Sequence, residues 1–377
     1  GARSIAVGQN AHVEGNDAIA TGTHAFALNT ESIATGAYST ASGLWAIATG
    51  SGSTASGNHS NAYGSESDAT GLDSTAVGYY AQANQQGATA LGGGGGAAAA
   101  ANANGEFAVA IGGGATDGAS ANANNAIAVG QASLANTNGS VAIGQTSQAT
   151  GQRTVAVGQY SEATGWSSTA LGQDAEATSA RATATGQGSE ASGYRSSAFG
   201  QSALASNARA TAIGQDASAY GRSSTAVGQS ALATDFHSSA FGQKSSATAV
   251  QATAVGAHAD AGYYNSAAFG FGATATRANQ QVFGTADNTY TMPGISSAAS
   301  TAAQSGQLGL VTSDAAGNLA TDPGLYDQIG QNQQGVAMAM ALSGFWVPDG
   351  KKMAAGLNVS TWDGTWAIAA NLGGQVN

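Results

Sequence analysis

Five of the ten basic residues of this 377-residue chain fall in one register. Arg153, Arg181, Arg195 and Arg209 each stand nine residues after a recurring glycine, and Arg222 stands one place earlier in the same frame. A second row, Glu162, Glu176 and Glu190, repeats at the same interval. Two chemistries suit such columns: ion pairing between coils or between chains that fixes register, or a ladder that holds a ligand. The first is the preferred reading here, although exposed pairs each contribute little stability. Trp45, Trp166, Tyr194, Phe236 and Tyr264 occupy the same family of turns. Aromatic residues there either grip a partner, as interface anchors do, or pack on neighbouring chains.

Catalytic chemistry finds no such register. His12, His24, His59, His237 and His258 are scattered, without metal-ligand spacing or an acidic cluster nearby. The glycine-rich tracts do not join a strand to a helix with a Lys-Ser/Thr ending, so they are not phosphate loops. The Asp-bearing nonapeptide of calcium-binding β-rolls is also missing. The expectation is a non-enzyme without cofactors or metals.

Composition narrows the class further. The formal charge is −11, from 21 acidic and 10 basic residues, which gives no general basic field for nucleic acid. Cysteine is absent, which suits passage through an oxidising compartment. No run of about 18 apolar residues occurs, so no helical membrane span is expected. The first ten residues, GARSIAVGQN, already belong to the repeated phrase, and the start is read as the edge of a mature fragment.

The elements that position these columns come from the repeat. Glycines close an Ala-x-Gly phrase at Gly8 and every 14 residues to Gly92, then at Gly112, Gly130 and every 14 residues from Gly144 to Gly284. Of these 20 phrases, 19 carry Ala two places before the glycine, the exception being Val282. The two longer steps read as loop insertions of six and four residues. The first, rich in Gly and Ala between Gly92 and Gly112, is read as flexible filler rather than a protruding contact loop.

A fainter Ala-x-Gly sits seven residues on, as at Ala149-Thr150-Gly151 and Ala191-Ser192-Gly193. Each unit therefore holds two strands of about five residues joined by glycine turns. A helix is excluded by the glycine frequency and by the apolar period of two. Stacking units pairs each strand in parallel with its copies, giving a solenoid about 100 Å long at about 4.8 Å per coil.

Parity assigns the faces. Positions of the Ser147 and Ala149 type point inward, while Gln148, Glu162, Glu176 and Glu190 point out with Thr150, Thr164 and Thr178. In the first strand the central Ala is expected inside, leaving Ile5/Val7, Val141/Ile143, Val155/Val157 and Phe199, Phe241 and Phe269 outside. A continuous apolar stripe of that kind calls for an oligomer.

Beyond Gly284 the period stops. Residues 285–321 read as a connector ending in a short hairpin, LGLVTSDAAGNLAT. Asp322-Pro323 opens a helix. Leu325, Ile329, Asn332, Val336 and Ala339 follow with the spacing of a coiled-coil seam, and residues 322–344 form that segment. Residues 345–377 hold two alternating strands around Asp363-Gly364. Met353, Ala355, Leu357 and Val359 share one face there, and Trp362 and Trp366 lie by the turn, as membrane-interface residues of a barrel would.

Phrases such as Ser140-Val141-Ala142-Ile143-Gly144 and Thr154-Val155-Ala156-Val157-Gly158, then a neck-like connector, an Asn-bearing seam, GVAMAMAL and paired amphipathic strands, resemble the YadA-like trimeric autotransporter adhesins of Gram-negative bacteria. The resemblance implies an all-β head, 1–284, built as a left-handed parallel β-roll solenoid, a homotrimeric coiled coil, and part of a 12-stranded outer-membrane barrel. It also implies an anion held on the threefold axis by Asn332, for which a register-setting polar residue is the simpler reading. With two anchor-like strands and an end at Asn377, the chain departs from the family's four strands per chain and is expected to be either a truncated protein or the ordered portion of a longer one. The expected role is a cell-surface adhesin contacting extracellular protein, glycan or abiotic surfaces. A receptor-free surface or phage-type fibre is the alternative. Ice binding is disfavoured because a regular Thr-x-Thr ladder is lacking.

Overall fold

Seven residues are too few for a long strand and a complete reversal, and this arithmetic sets the local structure. The computed structural model describes residues 1–305, 309–322, 324–342, 351–362 and 365–374, without the side chains of Leu325, Tyr326, Leu342, Trp362 and Thr365. Two compact units are present, Gly1–Asn288 and Thr289–Asn377.

In the first unit each 14-residue coil contributes one strand of three residues, such as Val141–Ile143, and one of two, such as Gln148–Ala149. These are shorter than the five residues expected, because each half-coil spends four or five of its seven residues on the corner. Copies stack in parallel and in register. Val141, Ala142 and Ile143 face Val155, Ala156 and Val157, and Gln148 and Ala149 face Glu162 and Ala163. The three-residue strands form one 20-stranded sheet and the two-residue strands the other. The unit is a parallel β-solenoid.

The core is built almost wholly from alanine and serine. Ala142, Ala149, Ser140 and Ser147 are completely buried, and Thr154 is the largest side chain among the fully buried ones. Alanine removes little apolar surface from water, so backbone pairing carries the stability. The corners take part in that pairing: the Thr146 amide donates to Gln131 O at 2.9 Å and the Ser167 amide to Gln152 O at 2.8 Å. At a net contribution of about 1 kcal/mol per bond, this continuous ladder outweighs the burial of one methyl group per inward position.

Inward serines solve their own solvation problem. Ser147 Oγ donates to Gly144 O at 3.0 Å, Ser161 Oγ to Gly158 O at 2.9 Å, and Ser140 Oγ to Thr137 O at 2.6 Å. Each of these three hydroxyls finds a carbonyl three residues back and clamps the corner it follows. The outward parity is as the sequence predicts: the central Ala of the first strand is inside, and Ile143, Phe199, Ile213 and Phe241 stand 38–41% exposed on the outer face.

The two insertions are ordered, contrary to the filler reading. Ala99 and Ala100 are buried, the Gly114 amide donates to Ala99 O at 2.8 Å, and the Gly118 amide donates to Ala98 O at 2.9 Å. Neighbouring coils both carry extra residues, so each insertion supplies the backbone partner of the other. An asparagine ladder runs past them. Asn84 donates to Asn104 at 2.7 Å, Asn104 to Asn122 at 3.0 Å and Asn122 to Asn136 at 2.9 Å, holding register where the chain length varies.

In the second unit the connector is partly helical, with a 3₁₀ turn at Pro293–Ser296 and a short helix, α1, at Ala298–Ala303. Ser297 caps α1, accepting from the Ser300 amide at 3.1 Å. Strands Leu310–Ser313 and Leu319–Asp322 pair antiparallel. A second helix, α2, spans Gly324–Leu342, with the Gly324 amide donating to Asp322 Oδ1 at 2.8 Å. Pro323 and Gly344, the expected bounds of this helix with Asp322, lie outside the described residues, as does the Asp363-Gly364 turn.

Strands Met353–Trp362 and Thr365–Gly374 form an antiparallel pair against α2. Small and polar residues turn toward the helix, with Ala337, Ala341 and Ala367 buried together and Ser360 Oγ donating to Ala337 O. Met353, Leu357, Val359, Trp366, Ile368 and Leu372 turn the other way and are exposed.

Candidate functional site

The corner that follows each two-residue strand is where the arginine and aromatic columns stand. Its fourth residue adopts the left-handed conformation, which any L side chain enters at some cost and which points that side chain out along the edge. Arg153, Arg181, Arg195 and Arg209 all hold this position, at φ 56°, 58°, 57° and 58°. Arg222 precedes it, with Ser223 in the left-handed position at φ 57°. Trp45 occupies the same left-handed position at φ 57°. Trp166 and Tyr194 lie one residue before it, as do Phe236 and Tyr264. In-register stacking therefore makes one continuous edge of residues spaced by 14 in sequence.

Contacts along that edge change from one end to the other. Near the start Arg3 pairs with Asp17 at 2.8 Å, and Trp45 stacks on His59 with ring centres 4.8 Å apart. His59 meets Asp73 at 2.9 Å. Farther along, arginines lie on aromatic rings. Arg181 is 4.9 Å from the Trp166 ring centre, Arg195 5.1 Å from Tyr194 and Arg222 5.9 Å from Phe236. None of the five column arginines has an ion-pair partner among the described residues. Pairing between coils of one chain, part of the preferred sequence reading, is therefore not what these side chains do. The reason is placement: the glutamates project from the sheet face and the arginines from its edge.

The cation–π pairs were not anticipated, yet the spacing carried a signal. Arg181 follows Trp166 by 15 residues and Arg222 precedes Phe236 by 14, one coil apart in each case.

The acidic row is a like-charge ladder on the outer face of the two-residue strands, with Glu162 facing Glu176 and Glu176 facing Glu190. Partial burial raises the Glu176 carboxyl above the ordinary glutamate range, and the charges of Glu190, Glu162 and Asp174 push the same way. Asp68 is raised too, by burial, against a Thr54 hydroxyl bond that lowers it and with Glu66 adding to the rise. Among the described residues no group of three or more His, Asp or Glu could hold a metal ion.

The remaining expected sites lie in the second unit. Asn332 is exposed, as are Ile329, Val336 and Ala339 of the same seam, whereas Ala337 and Ala341 of α2 meet the hairpin. Trp366 is 72% exposed beside the strand pair's closed end, and the Trp362 side chain lies outside the described residues. No described helix is long and apolar enough to cross a membrane.

Comparison with known proteins bears on the first unit. No curated protein matches the chain. Among solved structures, the crystal structure of the collagen-binding domain of the Yersinia adhesin YadA is 21% identical, covering 62% of this chain and 88% of that one, with a TM-score of 0.19. The family model for the YadA head domain repeat matches residues 1–25, 34–60, 69–94, 121–147, 135–161, 149–165, 163–189, 191–217 and 236–259. These segments cover more than half of the chain and follow the coils described above. The chain belongs to the YadA-like trimeric autotransporter adhesins, and its coils are their head repeats.

Proposed function

We propose that the protein is a homotrimeric surface adhesin, a rod whose repeated coils make multivalent contact with extracellular protein, glycan or abiotic surfaces. One observation supports this reading most. The outer face of the 20-stranded sheet carries apolar side chains coil after coil, among them Leu91, Ile143, Phe199, Ile213 and Phe241, each 38–45% exposed. A single chain leaves that stripe in water; three chains sharing it bury the stripe and lend each other the core that alanine does not provide. The α2 seam of Ile329, Asn332 and Val336 offers a second surface of the same kind. Asn332 there is a register-setting polar residue.

The exposed apolar side of strands Met353–Trp362 and Thr365–Gly374 supports an outer-membrane anchor. Ten-residue strands that alternate apolar and small or polar side chains match a barrel wall, with α2 on its inner side. Contact at many equivalent coils raises effective concentration, so weak individual contacts suffice.

Sedimentation of the purified full chain in detergent tests the assembly: three-chain mass is expected, and a well-behaved monomer would overturn it. Attachment of cells displaying the chain, with and without the coils, tests adhesion. Unchanged attachment without them would leave a receptor-free fibre.

A further inference from the structure

A row of uncompensated cations is unusual on a protein of net charge −11. Arg153, Arg181, Arg195, Arg209 and Arg222 lie exposed along one edge over five coil steps, about 24 Å at the parallel-strand spacing. They have no ion-pair partner among the described residues, and the fold does not need them, since the same corner accepts Asp, Ser, Gln or Asn elsewhere. The carboxylate in the corner of Phe236 is occupied: Asp235 Oδ1 accepts from the Phe236 amide at 2.7 Å.

We propose that this edge binds a linear sulfated polysaccharide lying along the solenoid. The inference rests on the adhesin reading and gives it a ligand class. Three features lead to it. A guanidinium stacked on an aromatic ring, as Arg181 is on Trp166 and Arg195 on Tyr194, has its plane fixed while its N–H edge stays free to make paired hydrogen bonds to a sulfate or carboxylate. From Arg181 to Arg222 the cations stand on consecutive coils, an interval close to one sugar residue of an extended chain, with Arg153 two coils before Arg181, which suits a polymer rather than a compact anion. The Glu162, Glu176 and Glu190 row on the adjoining sheet face repels a polyanion there and confines it to the edge. Single-stranded nucleic acid fits less well, because bases need open aromatic platforms and one face of Trp166, Tyr194 and Phe236 is covered by arginine.

The test uses the full chain and immobilised heparin as probe, with fully desulfated heparin and oligothymidylate as comparisons. The triple variant R181Q/R195Q/R209Q is set against R3Q/K244Q, which removes charge outside the five-arginine row, Arg3 at the start of the edge being already paired with Asp17 and Lys244 standing in the opposite corner. The parent and R3Q/K244Q should bind heparin alike at moderate salt, and the triple variant should lose about tenfold or more in affinity, a change of about 1.4 kcal/mol. Desulfated heparin should not bind.

Equal heparin affinity in parent and triple variant would overturn the proposal, as would equal binding of desulfated heparin. Tighter binding of oligothymidylate would assign the edge to nucleic acid instead. A changed assembly mass in the triple variant, with its melting temperature lowered, would make the edge a contact between chains and overturn the proposal. The two readings fail separately: a trimer that attaches cells without retaining heparin removes the polysaccharide site alone, and a monomer that retains heparin removes the trimeric rod alone.

Discussion

A Cβ built on Gly158 would stand 2.2 Å from the carbonyl oxygen of Gly172, one coil above. Gly158 also has φ +137°, a conformation L side chains rarely adopt. Both facts repeat up the column, so this glycine is selected twice, once by torsion and once by space. Gly158→Ala should therefore cost about 3 kcal/mol or more, combining strain with displaced backbone. Because coils contact only their neighbours, the loss should be local. Hydrogen exchange should show faster amides near residues 154–172 and ordinary protection in distant coils. An unchanged exchange map would contradict the close approach.

Ser168 is completely buried, and its hydroxyl has no hydrogen-bond partner, unlike Ser161, which donates to Gly158 O at 2.9 Å. Removing a satisfied buried hydroxyl and removing an orphaned one have opposite consequences. Ser161→Ala should destabilise the solenoid by about 1 kcal/mol, whereas Ser168→Ala should be neutral or stabilise it by a similar amount. Paired thermal melts decide the matter, and equal destabilisation by both would refute the distinction.

The glutamate row predicts a pH dependence. Glu176 has a folded-state pKa raised by burial and by its acidic neighbours, so the folded state holds a proton more tightly than the unfolded chain does. Its contribution is most favourable below the ordinary glutamate range and is lost as pH rises through the raised value. Stability should accordingly improve on mild acidification from neutral pH. Glu176→Gln should raise neutral-pH stability by roughly 0.5 kcal/mol, the scale of a like-charge cross-strand pair, and should reduce the gain on acidification. Melting temperature measured against pH reads both effects, and a fall in stability on entering the glutamate range would count against the ladder.

The apolar side of the C-terminal hairpin yields a test of anchoring. Ile368 is 69% exposed there and pairs with Val359. If this side meets lipid, Ile368→Arg should cost about 2–4 kcal/mol near the bilayer centre and shift the protein out of the membrane fraction. Ile368→Val should leave partitioning as it was. Identical partitioning of the arginine variant would argue for a different occupant of this face.

Much of the solenoid was legible because its constraints are periodic. A glycine demanded by backbone approach recurs every coil, and an inward Ala142 or Ala149 has only one size that fits. Strand length was less legible, since the residues absorbed by corners look the same in sequence as those in strands. The Gly/Ala insertion after Gly92 has the composition of a loose loop, and what orders it is a second insertion in the adjacent coil, a pairing that local composition does not encode. The arginine column was visible as a column, but its stacking on Trp166 and Tyr194 depends on which neighbouring coil each side chain leans toward. In α1, the Ser/Ala run of residues 296–303 gave little helical periodicity, and the Ser297 cap was the usable signal.

The identical in-register joints between coils have a genetic consequence. Outside the two coils that carry insertions, a duplication or excision of 42 nucleotides adds or removes one complete 14-residue rung and recreates the same junction on either side, whichever of those rungs is affected. The length of the solenoid can thus be adjusted by copy number, through slippage or recombination within the repeats, while every surviving rung keeps the bonding it had before.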